Sequence, residues 1–447
     1  MSSSKADIEE FNKLLKTALT VLLKYPLCDS CLGRQFALLG KGVTNEKRGY
    51  ALKLLLTLEA HKSYLEGKEK IAKRILQSLA KTKFSPALEM LRQVFGELVE
   101  GEKCYICSGM MERLREYADM VTSKLEACGY EFNTILIGCR MPTEIVERED
   151  RIRSEFKLEY GESIKKEFNR EVGKLVQKGL SKAYDPLHPD IIAIVDLIKN
   201  EVELEPTPIF IYGRYKKLVR GIPQNKWIIF RGGKEIRKYE ESVEELIALP
   251  VLRATKGTDY KFHGAGREDV DARMLGNGRP FIIEVKRPRI RNINLKELER
   301  SINQYAKGKV EVTDLKFVDR RAIRKIKTMA EYSAKTYRVL IELEREVSDE
   351  DVKKLEEIFK DIIVSQRTPL RVLHRRADKV RKKRVYELKV VSYQRNRLEL
   401  HIRCQGGLYI KELVHGDEGR TKPNIAEILG CKVRCLELDV INIEEEV

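Results

Sequence analysis

Read for hydrophobic and polar positions, the chain changes character near residue 130. Before that point apolar residues recur at helical spacing, and the pattern predicts helices over 5–24, 45–59, 64–81, 85–98 and 109–127. From FNTILIGCR at 132–140 onward, short β-like runs stand between helices: DIIAIVDL at 190–197, TPIFIYGRYKKLVRG at 207–221 and WIIF at 227–230. Glycines at 232 and 233, then a helix-like KYEESVEELIAL at 238–249 stopped by Pro250, mark a boundary near residue 250. Beyond it strands and helices mix to the end, with β-like runs near 281–286, 336–342, 385–392, 398–403 and 432–442. The expected organisation is therefore a mostly helical region over 1–130, a small α+β unit over 131–250 and a larger α+β unit over 251–447. A length of 447 residues agrees, being more than one hydrophobic core usually organises.

Charge adds a partner to this picture. The chain carries 86 Lys and Arg against 69 Asp and Glu, a net +17 that favours a polyanion, nucleic acid before an acidic membrane face. No apolar run approaches the roughly 20 residues needed to span a bilayer. The N-terminus reads as an amphipathic helix rather than a signal peptide, so a cytoplasmic location is expected. Two segments concentrate the cations. YGRYKKLVRGIPQNKW (212–227) mixes them with aromatics, which suits unstacked bases as well as phosphates, and makes Arg214, Tyr215, Lys216, Lys217 and Arg220 candidate RNA contacts. RTPLRVLHRRADKVRKKR (367–384) has the cation density that releases counterions from a phosphate backbone, with Arg371, Arg375 and Arg376 as candidates. A solvated surface strand or helix is the alternative for each run taken alone.

Cys28, Cys31, Cys104 and Cys107 form two CxxC pairs far apart in the chain. Each pair can bring both thiolates to one ion, and two pairs complete a tetrahedral Zn²⁺ shell with no open position, so the expected metal is structural. The other five cysteines are scattered and read as small core residues.

KFHGAGREDVDARML (261–275) is too charged to be interior. Asp269 and Asp271 are open to three readings: metal ligands, a nucleophile or base, or surface partners of Arg267 and Arg273. EVK at 284–286 follows them in the order of a nuclease's acid and ExK site, in which Asp269, Asp271 and Glu284 hold Mg²⁺ and Lys286 polarises water. That reading leaves AKTYRVLIELE (334–344) and RCQGGLYIKELVHG (403–416) without a task.

Those two segments, together with the acidic turn, resemble the pseudouridine synthases: a GRxD turn carrying an essential aspartate, a K-x-Y strand and a late G-x-Y-I-(K/R) segment, here GRED, KTY and GLYIKEL in that order. Over nearly the whole chain, the double CxxC, IYGRYKKLVRGIPQ, HGAGREDVDARMLGNGRPF and TPLRVLHRR are similar to the archaeal-type tRNA pseudouridine synthases acting on uridines 54 and 55, which have a THUMP-containing N-terminal half. The resemblance implies an α+β fold, with a catalytic domain over 251–447 built on a mixed, mainly antiparallel sheet with flanking helices and a central cleft, and a THUMP-like RNA-binding domain over 131–250. It implies Asp269 as the catalytic carboxylate, with Asp271 its rival, and Lys411 as the counter-charge. Tyr337 would stack on an extruded uracil, Tyr409 would line the same slot, and Arg267 would orient a phosphate or help evict the base. His263, His374 and His415 would be structural residues or RNA contacts. The implied partner is tRNA, with no membrane and no evident protein partner, and the chemistry needs no cofactor; zinc would only hold the N-terminal half together. A nuclease and a non-catalytic tRNA-binding protein remain as alternatives.

Overall fold

The computed structural model describes residues 13–232 and 234–444, so the first turns of the expected helix 5–24 lie outside the described residues, as does the side chain of Arg375. The chain divides into two compact units, Met1–Pro206 and Thr207–Val447.

The N-terminal unit opens with helices Lys13–Lys24, Asn45–Leu65, Glu69–Lys81 and Ser85–Phe95, then Leu114–Glu126. Their starts follow local chemistry: Thr44 caps the second by accepting from the Lys47 N–H, and Pro86 stands in the first turn of Ser85–Phe95, where a missing N–H costs nothing. A four-stranded sheet follows, in the order Ala183–Tyr184, Thr134–Arg140, Ile191–Asp196, Glu201–Pro206, parallel except for its last pair. Ile135 and Ile137 alternate with Ile191, Ala193 and Val195 on one buried face, and Phe168, Val172 and Val176 of helix Ile164–Leu180 join them in a core shared with the first helices.

The C-terminal unit is built on one ten-stranded sheet. From edge to edge its order is Val310–Val318, Ile209–Lys217, Arg273–Lys286, Val433–Ile443, Ala334–Leu343, Arg397–Gln405, Val380–Gln394, Ile362–Arg367 and Thr421–Lys422, with Asp259–Gly264 paired separately to Arg273–Lys286. All pairings are antiparallel except the short parallel meeting of Val433–Ile443 with Arg273–Lys286. The fold is thus α+β with a mixed, mainly antiparallel sheet, as the resemblance implied. Val339 and Ile341 of the K-x-Y strand are fully buried with Leu398, Leu400 and Ile402 beside them, the period-2 alternation that placed this strand in the sequence.

Two expectations change. The boundary set near residue 250 falls between Pro206 and Thr207, because Ile209–Lys217, read as part of the smaller α+β unit, is an inner strand of the large sheet, hydrogen-bonded to Arg273–Lys286 and Val310–Val318. The helix expected to stop at Pro250 runs from Val243 to Thr255 with Pro250 inside it. Leu246, Ile247, Ala248, Pro250 and Val251 are all buried, so packing outweighs the lost hydrogen bond, a cost of about 3 kcal/mol.

Candidate active site

The GRED turn lies on the connection between paired strands Asp259–Gly264 and Arg273–Lys286, with its flanks held by the sheet. Beneath it is a buried polar web. Glu268, with no exposed side chain, receives the Tyr215 hydroxyl at 2.9 Å and the Arg279 guanidinium at 2.8 Å. Gln224 donates to the Tyr215 oxygen and to the Gly266 carbonyl, and Arg279 also donates to the Ala265 carbonyl. Lys217, fully buried, donates to three carbonyls, of Ile222, Asp269 and Val270, at 3.0–3.1 Å. Its burial pushes the ammonium down to about 8. Burial, and then Glu268 beside it, holds the Tyr215 phenol well above its usual value, so it stays protonated, donating to Glu268 while its oxygen accepts from Gln224. Gly266 adopts φ +82°, and a Cβ there would stand 3.0 Å from Arg279 Nη1 and 3.2 Å from Lys335 Nζ, which is why this turn carries glycine.

Above this web a cavity of about 550 Å³ is lined by Asp269, Asp271, Arg267, Tyr337, Tyr409, Lys411, Lys335, Arg279 and Arg371, with Trp227 and Tyr239 also on its wall. The residues expected at the catalytic site therefore meet in one place, although GRED, KTY and GLYIKEL are far apart in the chain. Their pairing differs from the expected one. Lys411, on the short helix Ile410–His415 whose N-terminal flank is Tyr409, lies 2.6 and 2.8 Å from the two oxygens of Asp271 and 3.6 Å from Asp269. The nearer cation to Asp269 is Arg371, at 3.2 and 3.3 Å, itself gripped by the buried Glu412 at 2.6 Å. Burial opposes the Asp271 carboxylate, but the Lys411 ammonium outweighs it and leaves that carboxyl below its usual range. Asp269 is close enough to Tyr337 for its charge to be felt at the phenol, whose ionisation burial pushes strongly upward. Tyr409 is fixed at its backbone by Gln366 and at its hydroxyl by Arg376, 2.7 Å away. Arg267 is exposed and lies 5.9 Å over the Trp227 ring.

The candidate RNA contacts separate into two kinds. Tyr215 and Lys217 are fully buried in the web, and Arg214 is buried and donates to the carbonyls of Asn277 and Gly278. Arg220 donates to the carbonyls of Asp271 and Leu438 and pairs with Asp439 at 2.7 Å. Lys216 meets Glu311. Tyr215, Lys217 and Arg214 of this segment are thus committed to internal partners beneath the GRED turn, while Lys216 and Arg220 are half-buried. Arg371 pairs with Asp269, while Arg376, Lys379 and Lys382 of the basic run 367–384 are exposed.

The ExK pair is engaged elsewhere. Glu284 is hydrogen-bonded to His263 at 2.9 Å and Lys286 to Asp259 at 2.7 Å, and neither lines the cavity with Asp269 and Asp271, so a nuclease site is not assembled. His415 accepts from the Asp417 N–H, and His374 is exposed. Glu268, Arg279, Gln224 and Glu412 were missed in the sequence, where an acid next to Asp269 or an arginine in NGRPF carries no sign of burial. The chance to notice lay in the acid run itself, since GRED offers one carboxylate more than the chemistry uses.

In the N-terminal unit the four CxxC sulfurs lie within 4.8 Å of one another, with Cys28 Sγ and Cys107 Sγ 3.7 Å apart. Tetrahedral Zn–S bonds of about 2.3 Å would separate sulfurs by about 3.8 Å, so the donor set fits Zn²⁺. The fully buried Arg34 donates to Cys31 Sγ, Glu149 and Glu167, tying the sulfur site to helices Thr143–Phe156 and Ile164–Leu180. Among the described residues no helix is long and apolar enough to cross a membrane.

Comparison with known proteins adds the decisive finding. Residues 210–444 match the family model described as Pus10, C-terminal, and residues 117–196 match that of the archaeal Pus10 THUMP domain. The chain belongs to the Pus10 family. It is a pseudouridine synthase, hence an isomerase, with a THUMP domain wholly inside the N-terminal unit rather than over 131–250. The tRNA pseudouridine synthase Pus10 of Thermofilum pendens is 44% identical over 97% of this chain and 96% of its own length. That of Methanocaldococcus jannaschii is 43% identical, covering 95% and 93%. A crystal structure of a Cbf5-Nop10-Gar1 complex overlaps 45% of each chain at 18% identity and a TM-score of 0.28, and the fold assignment does not rest on it.

Proposed function

We propose that the chain isomerises uridine to pseudouridine in the T arm of tRNA, at positions 54 and 55, with Asp269 as the catalytic carboxylate. What carries the reading is one observation: Asp269, Lys411 and Tyr337, from three distant segments, line a single cavity large enough for an extruded pyrimidine. The tRNA substrate is supported by the names of relatives about 40% identical over almost the full chain, and the T-arm positions by the resemblance of the ordered motifs.

The reaction breaks C1′–N1 and rejoins the ring through C5, so base and sugar must both be reached, and a stacked nucleotide hides them. Asp269 stands at the cavity wall between the Arg371 and Lys411 cations, 3.2 and 3.6 Å away. An ionised carboxylate there serves either available route, addition to C1′ or removal of the C2′ proton. Asp269 is preferred to Asp271 because it holds the aspartate position of the GRED turn and is only one-third exposed, whereas Asp271 is two-thirds exposed and held by Lys411. Four zinc thiolates in the N-terminal unit would supply structure, no step of the chemistry. RNA is held through exposed Arg376, Lys379 and Lys382.

The test is carbodiimide-based mapping of pseudouridine on unmodified tRNA. Wild type is expected to modify the T arm and leave RNA of unchanged mass; Asp269→Asn is expected to bind tRNA within about threefold of wild type and form no product. Product formed at the wild-type rate by Asp269→Asn removes the assignment.

A further inference from the structure

One group in the cavity has no part in the mechanism above. Lys335 is 5% exposed and lines the cavity two positions before Tyr337 on the same strand. Among the described residues it has no hydrogen-bond or ion-pair partner, unlike the buried Lys53 and Lys217, each of which has its acceptors. A buried ammonium without a partner is costly, and chains keep one where something else supplies the partner.

Its surroundings say what that partner is. Arg279 Nη1 and Lys335 Nζ both lie against Gly266, so the cavity floor beneath the catalytic turn carries two cations, and only Arg279 is neutralised, by Glu268. Across the strand pair Lys335 faces Cys404, Lys383 lies near, and the Glu268 carboxylate, already paired with Arg279, is felt at Lys335 without bonding to it. Burial first, then Arg279, pushes the Lys335 ammonium down to about 7, consistent with a cation waiting for an anion. Residues two apart on a strand project to one face about 7 Å apart, so a planar base resting on Tyr337 presents its edge toward Lys335. The base edge, rather than the backbone phosphate, is then the part of the nucleotide turned toward this nitrogen.

We propose that Lys335 binds a carbonyl of the flipped uracil and stabilises the negative charge the base acquires as its C1′–N1 bond breaks. The inference rests on the proposed reading of the cavity as a flipped-uridine site. In the step, the C1′–N1 electron pair passes to N1 and spreads over O2 and O4, while Asp269 either bonds to C1′ or takes the C2′ proton. Lys335 donates a hydrogen bond to the charged carbonyl without losing its proton. C5 then bonds to C1′ as the Asp269–C1′ bond breaks or, on the other route, as Asp269 returns its proton to C2′; the proton leaves C5 and N1 is protonated, with no outside reactant consumed. Stabilisation of charge that develops only in the transition state is the kind of contact worth about 10²–10³ in rate.

The experiment uses full-length protein and tRNA carrying uridine or 5-fluorouridine at the target position, with single-turnover glycosidic cleavage read by nucleoside analysis. Lys335→Met is expected to bind tRNA within about threefold of wild type and to cleave uridine about 10²-fold more slowly. Because 5-fluorouracil is the better leaving anion, the same variant is expected to lose less than about tenfold on 5-fluorouridine. Addition of a small primary ammonium such as propylammonium is expected to restore rate to Lys335→Ala. Equal losses on the two substrates, or no loss, overturn the proposal, as does failure of the amine to rescue a folded Lys335→Ala. Absence of any pseudouridine from wild type would instead overturn the underlying function, and this inference with it.

Discussion

Removing the Glu268 carboxylate separates the support of the GRED turn from the chemistry proposed for it. Glu268 and Arg279 are, at 0% and 1% side-chain exposure, a closed pair, and Tyr215 adds a third member through its hydroxyl. Glu268→Met leaves the Arg279 cation buried without its anion and the Tyr215 hydroxyl without its acceptor. Breaking a buried pair by deleting one partner costs about 3–5 kcal/mol, whereas replacing both partners by apolar groups is often neutral. For a unit of this size, about 2–4 °C of Tm per kcal/mol turns that into a drop of roughly 6–20 °C in Glu268→Met. The double variant Glu268→Met/Arg279→Met is expected to recover more than half of the loss, a coupling that calorimetry of the three variants and wild type measures directly. Glu268→Gln, which keeps an acceptor for Tyr215 but not the charge, should fall between. If the two single losses simply add in the double variant, the pair does not hold the turn. If Glu268→Gln melts like wild type yet forms no product, Glu268 belongs to the chemistry rather than the scaffold.

Three further outcomes are expected. Lys335 has a folded value of about 7 against 10.5 for a free lysine, so between those values the unfolded chain holds a proton the folded chain lacks. Stability therefore rises with pH across that window, by up to about 1.4 kcal/mol per pH unit, and the penalty is fully present below pH 7. The difference in unfolding free energy between wild type and Lys335→Met, followed by denaturant titration from pH 6 to 10, should shrink accordingly; a pH-independent difference contradicts the buried, partnerless ammonium. Chelation of zinc, or Cys104→Ser, is expected to lower the melting temperature of the N-terminal unit and release one metal per chain, checked by metal analysis and circular dichroism; an unchanged melt means the thiols are held without the ion. In tRNA binding, Lys379→Ala and Lys382→Ala should each reduce the slope of log affinity against log salt by up to about 1, while Lys217→Met lowers Tm and leaves the slope alone; a changed slope in Lys217→Met would return that segment to the RNA face.

Much of this molecule is legible in its residues taken locally. Alternation placed the strands at 134–140, 191–196 and 334–343, helical spacing placed the first helices, and two CxxC pairs announced a four-sulfur site. The order of GRED, KTY and GLYIKEL named a family and, within it, the residues that line the cavity. These are features that short range determines: side-chain period follows backbone geometry, and a motif is a spacing.

Tertiary structure alone decided which charges face water. YGRYKKLVRG has the composition of an RNA-binding strand, yet Tyr215 and Lys217 are fully buried beneath the GRED turn and Arg214 is buried beside it. Arg371 looked like a phosphate contact and holds Asp269, and Lys411 lies nearer Asp271 than its expected partner. The physical reason is common to all of them. A buried ion needs a partner or a row of carbonyls, those partners come from distant segments, and only the pairing of strands brings them within hydrogen-bond reach. Composition states how many charges the chain carries; the sheet assigns each one to the substrate, to the scaffold or to solvent.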